Sequence, residues 1–142
     1  MSTSKLYRFQ EWLETRISEV LPEGVPIFCR RKGNIDSDVE NALATLGIAV
    51  VVKPPLPLEW SDSYLLSCGK VESEIHILEN VLLQETQETA YSLLEKIAAA
   101  LYQARCDELA ASILKLESVR DDSPSDETVI HFVLPITNSL NF

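Results

Sequence analysis

The sequence predicts an α+β domain, with a mostly antiparallel sheet of four to six strands and helices packed mainly on one face. Three observations carry this reading. In Val71-Glu-Ser-Glu-Ile-His-Ile-Leu-Glu-Asn80, Val71, Ser73, Ile75 and Ile77 point one way and Glu72, Glu74 and His76 the other, the period of a half-buried strand. Ala90, Leu93, Leu94, Ile97, Ala98, Leu101 and Ala104 trace one apolar face of a helix over residues 87–105. Ile48-Ala-Val-Val-Val52 is continuous and largely β-branched, as expected of a strand covered on both faces. The element order is α-β-α-β-(β)-β-α-β-β, and a length of 142 residues suits a single domain over 1–142.

The first helix is predicted over residues 5–21. Leu6, Phe9, Leu13, Ile17 and Val20 recur at helical spacing, Trp12 widens the stripe, and Pro22 and Gly24 end it. Val25 to Arg31 reads as a strand, and Gly33-Asn34 as a turn. Ser37 and Glu40 have capping-box spacing at the start of the second helix. Val39, Ala42, Leu43 and Leu46 form its stripe, and Gly47 is placed to stop it.

Pro54, Pro55 and Pro57 end the strand at 48–52 and hold the next segment extended. Glu59 to Ser63 reads as an exposed loop; its Trp60 either folds back onto the core or anchors a partner. Tyr64 to Cys68 is either a short strand or a lead through Gly69-Lys70 into the strand at 71–79. Glu85 and Glu88 near the start of the third helix and Arg105 at its end suit the helix dipole. Ile113 to Val119 alternates, Asp121 to Asp126 is a polar turn, and Thr128 to Ile136 returns, giving a β-hairpin.

Charge and composition narrow the function. Twenty-two acidic against twelve basic residues give a net charge of −10, a poor basis for neutralising phosphates. Specific nucleic-acid binding is not expected. Arg30-Arg31-Lys32 is the one basic cluster, either a solvated strand end or an electrostatic grip on an acidic partner. No apolar run approaches the length of a membrane span. The N-terminus lacks a signal-peptide core, which predicts synthesis and residence in the cytoplasm.

Cys29, Cys68 and Cys106 lie far apart without a CxxC pair, and read as reduced small hydrophobes. With only His76 and His131 besides, neither a metal site nor a cofactor is expected. Glu72, Glu74 and His76 project together and could share protons, but a wet strand face demands polar residues anyway. There is no glycine-rich phosphate loop and no nucleophile motif, so no catalytic residue is assigned and the chain reads as a non-enzyme.

Two apolar features exceed what a one-faced sheet requires. Val81, Leu82 and Leu83 follow a strand directly and either plug the end of the core or project onto a neighbour. Val129-Ile-His-Phe-Val-Leu134 is apolar at nearly every position; Ile130, Phe132 and Leu134 either face a partner or lie in a strand covered on both sides.

Asp38-Val-Glu-Asn-Ala-Leu-Ala-Thr-Leu-Gly-Ile-Ala-Val-Val-Val52, the corner Ile75-His-Ile-Leu-Glu-Asn-Val-Leu-Leu83 before a long helix, the closing hairpin and the element order resemble the tail-terminator and tail-completion proteins of long-tailed bacteriophages and phage-like particles. Val81 stands where many such proteins carry proline. The resemblance implies a structural virion protein acting in head-tail joining. Such a protein forms a closed ring, commonly hexameric, that caps the tail tube, meets the head-connector protein, assembles in the host cytoplasm and ends in the virion tail. From the residues alone, a small cytoplasmic adaptor or chaperone-like binding module, monomeric or dimeric, stands as the alternative.

Overall fold

A computed structural model describes residues 4–29, 35–60, 68–83, 88–106, 109–110, 112–125 and 128–141. Among these the elements are α1 Lys5–Ser18, β1 Ile27–Cys29, α2 Asp36–Thr45, β2 Ile48–Val52, β3 Leu56–Trp60, β4 Cys68–Asn80, α3 Ala90–Leu101, β5 Lys115–Leu116, β6 Arg120–Asp121 and β7 Val129–Asn141. The sheet runs β1-β2-β4-β7-β5, with β3 on the same side of β4 as β2, and β6 on the same side of β7 as β5. Every pairing is antiparallel except β1 with β2. The fold is α+β, as its hydrophobic periods predict.

The alternation of β4 decides which face is which. Val71, Ser73, Ile75 and Ile77 are fully buried and pair across β7 with Asn138, Ile136, Leu134 and Phe132. Val50 and Val52 continue this face through β2. α1 and α3 cover it. Phe9, Leu13 and Ile17 from α1 and Ala90, Leu93, Ile97 and Leu101 from α3 are all buried in the same core. The guanidinium of Arg16 ties the two helices by donating from Nε to the Ala100 carbonyl at 2.8 Å, and Gln10 Nε2 donates to the Val52 carbonyl at 3.4 Å.

α2 lies on the opposite face. A parallel pair needs a crossover connection, and α2 supplies it between β1 and β2. It packs against β2 and β4 beside Val51, His76 and Leu78. That cover is light, since Ala42 is its one fully buried residue among those described. It does explain how β2 is buried at all five positions.

Several boundaries differ from the sequence reading. α1 stops at Ser18, because a turn already forms ahead of Pro22. The capping box at Ser37 and Glu40 does not form: α2 starts two residues earlier, with Ile35 at the N-cap and no side-chain cap hydrogen bond. Gly47 does end α2, at φ +82°, with its N–H donating to the Ala42 carbonyl at 3.0 Å. Glu59 and Trp60 belong to β3 and not to a loop, because β4 extends back to Cys68 and offers them an edge. Residues 61–67 lie outside the described residues, as does the turn expected at Gly33-Asn34.

α3 spans only Ala90–Leu101, capped by Thr89, whose side chain accepts from the Ser92 N–H at 3.1 Å. Arg105 therefore sits beyond the helix and donates to the Ala110 carbonyl instead. The closing hairpin is broken into β5 and β6, while β7 runs to Asn141 straight through Pro135. The strand tolerates this proline at the gap between β5 and β6. There its carbonyl accepts from Glu117 on the outer side, and no ladder donor is required of its nitrogen.

Candidate functional site

Two surfaces stand apart from ordinary solvated structure. The first is the corner after β4. Asn80 holds it from four directions: its N–H donates to the Gly47 carbonyl at 2.8 Å, its Nδ2 to the Leu43 carbonyl at 3.1 Å, its Oδ1 accepts from the Leu82 N–H at 3.0 Å, and its carbonyl accepts from the Leu83 N–H at 3.2 Å. Val81 N–H donates across to the Thr128 carbonyl at 3.1 Å. The backbone is thus pinned to the end of α2 and to the start of β7.

The pinned backbone turns Leu82 outward, 73% exposed, while Val81 and Leu83 are half-buried. Leu46, next to Gly47 at the same corner, is 45% exposed. Leu82 is thus an exposed apolar side chain on a constrained backbone.

The other sequence candidates separate sharply. Phe132 and Leu134 lie in the core under α3, and Ile130, partly buried, packs against it. In the single chain this strand reads as covered, because Phe132 and Leu134 lie opposite Ile77 and Ile75 on the face that α1 and α3 cover. Trp60 has its backbone paired with Gly69, and its side chain lies outside the described residues. Arg30, Arg31 and Lys32 lie outside them too.

The second surface is a groove of about 370 Å³ between α2 and the sheet, walled by Ile35, Val39, Leu43, Val51 and Leu78, with Lys53, His76 and His131 also lining it. His76 faces this side because it alternates with Ile75 and Ile77, and register places β7 His131 diagonally beside it. His76 Nδ1 lies 2.7 Å from His131 Nε2, and His76 Nε2 lies 3.0 Å from Glu74 Oε1. Glu74 also meets Lys53 at 3.7 Å and Arg120 at 3.6 Å. Arg120 in turn donates from Nε to Asp122 at 2.9 Å.

Burial dominates the protonation of this cluster. It pushes both imidazoles below their ordinary value, with Lys53 adding to the effect and acidic neighbours (Glu74 for His76, Asp122 for His131) opposing it. For Glu74 burial acts upward, yet the His76 N–H and the nearby cations outweigh it and leave the carboxyl below its ordinary range. Sequence reading found Glu74 and His76 as residues of one strand face. It missed His131 and Arg120, because sequence periodicity does not show which strand lies beside which.

Among the described residues no group of three histidines, cysteines or acids could hold a metal ion, and no helix is long and apolar enough to cross a membrane. Cys29 and Cys106 are buried. The Cys29 Sγ sits on the face opposite the groove, 3.0 Å from Glu14 Oε2.

The fold is similar to that of a chain in the virion of a native gene transfer agent particle. The two superpose with a TM-score of 0.59 at 13% sequence identity, over 96% of this chain and 92% of that one. No protein-family model and no curated protein sequence matches the chain. At this identity the likeness concerns the fold, and it spans nearly the whole of both chains.

Proposed function

We propose that the protein is a structural subunit of a phage-like particle, a tail-terminator or tail-completion protein. In this reading it closes into a ring, commonly hexameric in such proteins, that caps the tail tube and joins it to the head connector. The observation that carries the reading is the Leu82 corner: an apolar side chain, 73% exposed, on a backbone pinned from both sides. The end-to-end likeness to a chain of a virion particle supports the same reading.

A ring needs heterologous contacts, in which one patch meets a different patch on the next copy. The Leu82 corner supplies one patch. In this proposal the basic run Arg30-Arg31-Lys32 supplies an electrostatic contact to an acidic partner. Trp60 is a further contact residue in this proposal. A net charge of −10 suits a ring through which duplex DNA passes, because a like-charged wall does not hold the phosphates. Assembly takes place in the host cytoplasm and the finished ring resides in the tail; no step of this role uses catalysis.

Light scattering at high protein concentration, with and without tail-tube protein, tests the proposal. The expected result is a discrete ring mass in at least one condition. A chain that stays monomeric or dimeric in both would overturn the ring and favour a small adaptor using the same corner.

A further inference from the structure

The hydrogen-bonded chain from His131 through His76 to Glu74 lies apart from the Leu82 corner, and the ring does not use it. Its direction follows from chemistry. An ionised carboxylate only accepts, so His76 Nε2, 3.0 Å from Glu74, carries the proton. A neutral His76 then presents Nδ1 as an acceptor, and His131 Nε2, 2.7 Å away, must be the donor. One proton can join this relay harmlessly, at His131 Nδ1, since His131 keeps its Nε2–H. A second proton has only His76 Nδ1 to take, where it meets that N–H head-on.

The surroundings give the displaced ring somewhere to go. From β4 the pair faces Glu74, and from the end of β2 it faces Lys53. Across the groove α2 presents Asp36 and Glu40 at the rim. From β6 and its turn come Arg120, Asp121 and Asp122. Lys53 and Arg120 repel a charged His131, whereas Asp121 and Asp122, both exposed, attract it outward.

The geometry points to an acid-operated latch: a second proton on the His76–His131 pair breaks the bond between the rings, swings His131 toward Asp121 and Asp122, and opens the floor of the groove beneath α2. The sign follows from burial. Both imidazoles are held below the ordinary value of about 6.5 in the folded chain, so the unfolded chain binds their protons first. Stability is therefore full above about pH 6.5 and falls as pH drops toward the folded-state values. The two rings titrate as one coupled pair.

Nitrogen-15 spectra of the imidazoles from about pH 8 to about pH 4.5, with thermal melts of the wild type and His131→Gln, test the latch. Glutamine keeps an amide N–H for His76 but cannot take a proton. Expected are Nε2–H tautomers for both rings at neutral pH, two separate protonation steps, and a melting temperature that drops by several degrees on acidification, less so in His131→Gln. Independent titration of both rings near the ordinary value, an Nδ1–H tautomer for His76, or equal pH slopes in the two proteins would overturn it. Should His131→Gln fail to fold, the wild-type tautomers and titration steps decide.

Discussion

Truncating Phe132 to Ala should cost the isolated chain about 3–5 kcal/mol, and Leu134→Ala about 2–5 kcal/mol. Phe132 is 8% and Leu134 2% exposed. The Phe132 ring also stacks edge-on against Tyr91, with centroids 5.1 Å apart at 62°, so its loss strips a partner from α3 as well as leaving a cavity. Against a total of about 5–15 kcal/mol for a domain, either change removes a large share of the folded margin. Urea unfolding of the isolated chain checks this. A loss below about 1 kcal/mol for Phe132→Ala, accompanied by failed assembly, would place that ring at a subunit boundary instead.

Leu82→Ser should do the reverse. With Leu82 73% exposed, the isolated chain should keep its stability to within about 0.5 kcal/mol. In the proposed ring each contact buries one such leucine, worth about 1.5–3 kcal/mol, and the loss repeats at every contact around the circle. Ring formation or tail attachment should therefore fail while the melting temperature holds. Rings of normal mass from the Leu82→Ser chain would remove this corner from the interface. Leu83 is half-buried, and changing it to Ser should weaken the fold and the contact together, so it cannot substitute for Leu82 in the test.

The parts of the fold legible in the sequence are those set by period alone. β4 alternation, the α3 stripe and the continuous β2 run each survive because one side chain in two, or in three to four, must be dry. What escaped was set by neighbours. Pro57 marked only an extended segment, yet β3 includes it where the sheet bulges, and β7 runs past the predicted end at Ile136 to Asn141. Ser37 looked like a cap, but the chain turns into α2 earlier, at Ile35.

The candidate site shows the same division. Asn80 to Leu83 was visible as an apolar run breaking a pattern, with two possible destinations. What the pattern could not show is the set of four hydrogen bonds of Asn80 that fixes this corner, with partners reaching back to Leu43 and Gly47. The His76–His131 contact depends on strand register between segments 55 positions apart, which no local pattern records.

The ladder between β4 and β7 runs unbroken from Cys68↔Asn141 to Asn80↔Val129, and β7 is the last element of the fold. During synthesis, β4 therefore waits for its main partner while roughly 60 further residues are made, about 3–12 s at translation rates of ~5–20 residues per second. Through that interval the apolar faces of β2, β4 and α3 exist without the strand that joins them, and the waiting edge is open to pairing with another nascent chain. Many copies translated from one message would stand side by side in this half-finished state. The same side of the molecule that makes the mature sheet rigid is thus the one most in need of shielding at the ribosome.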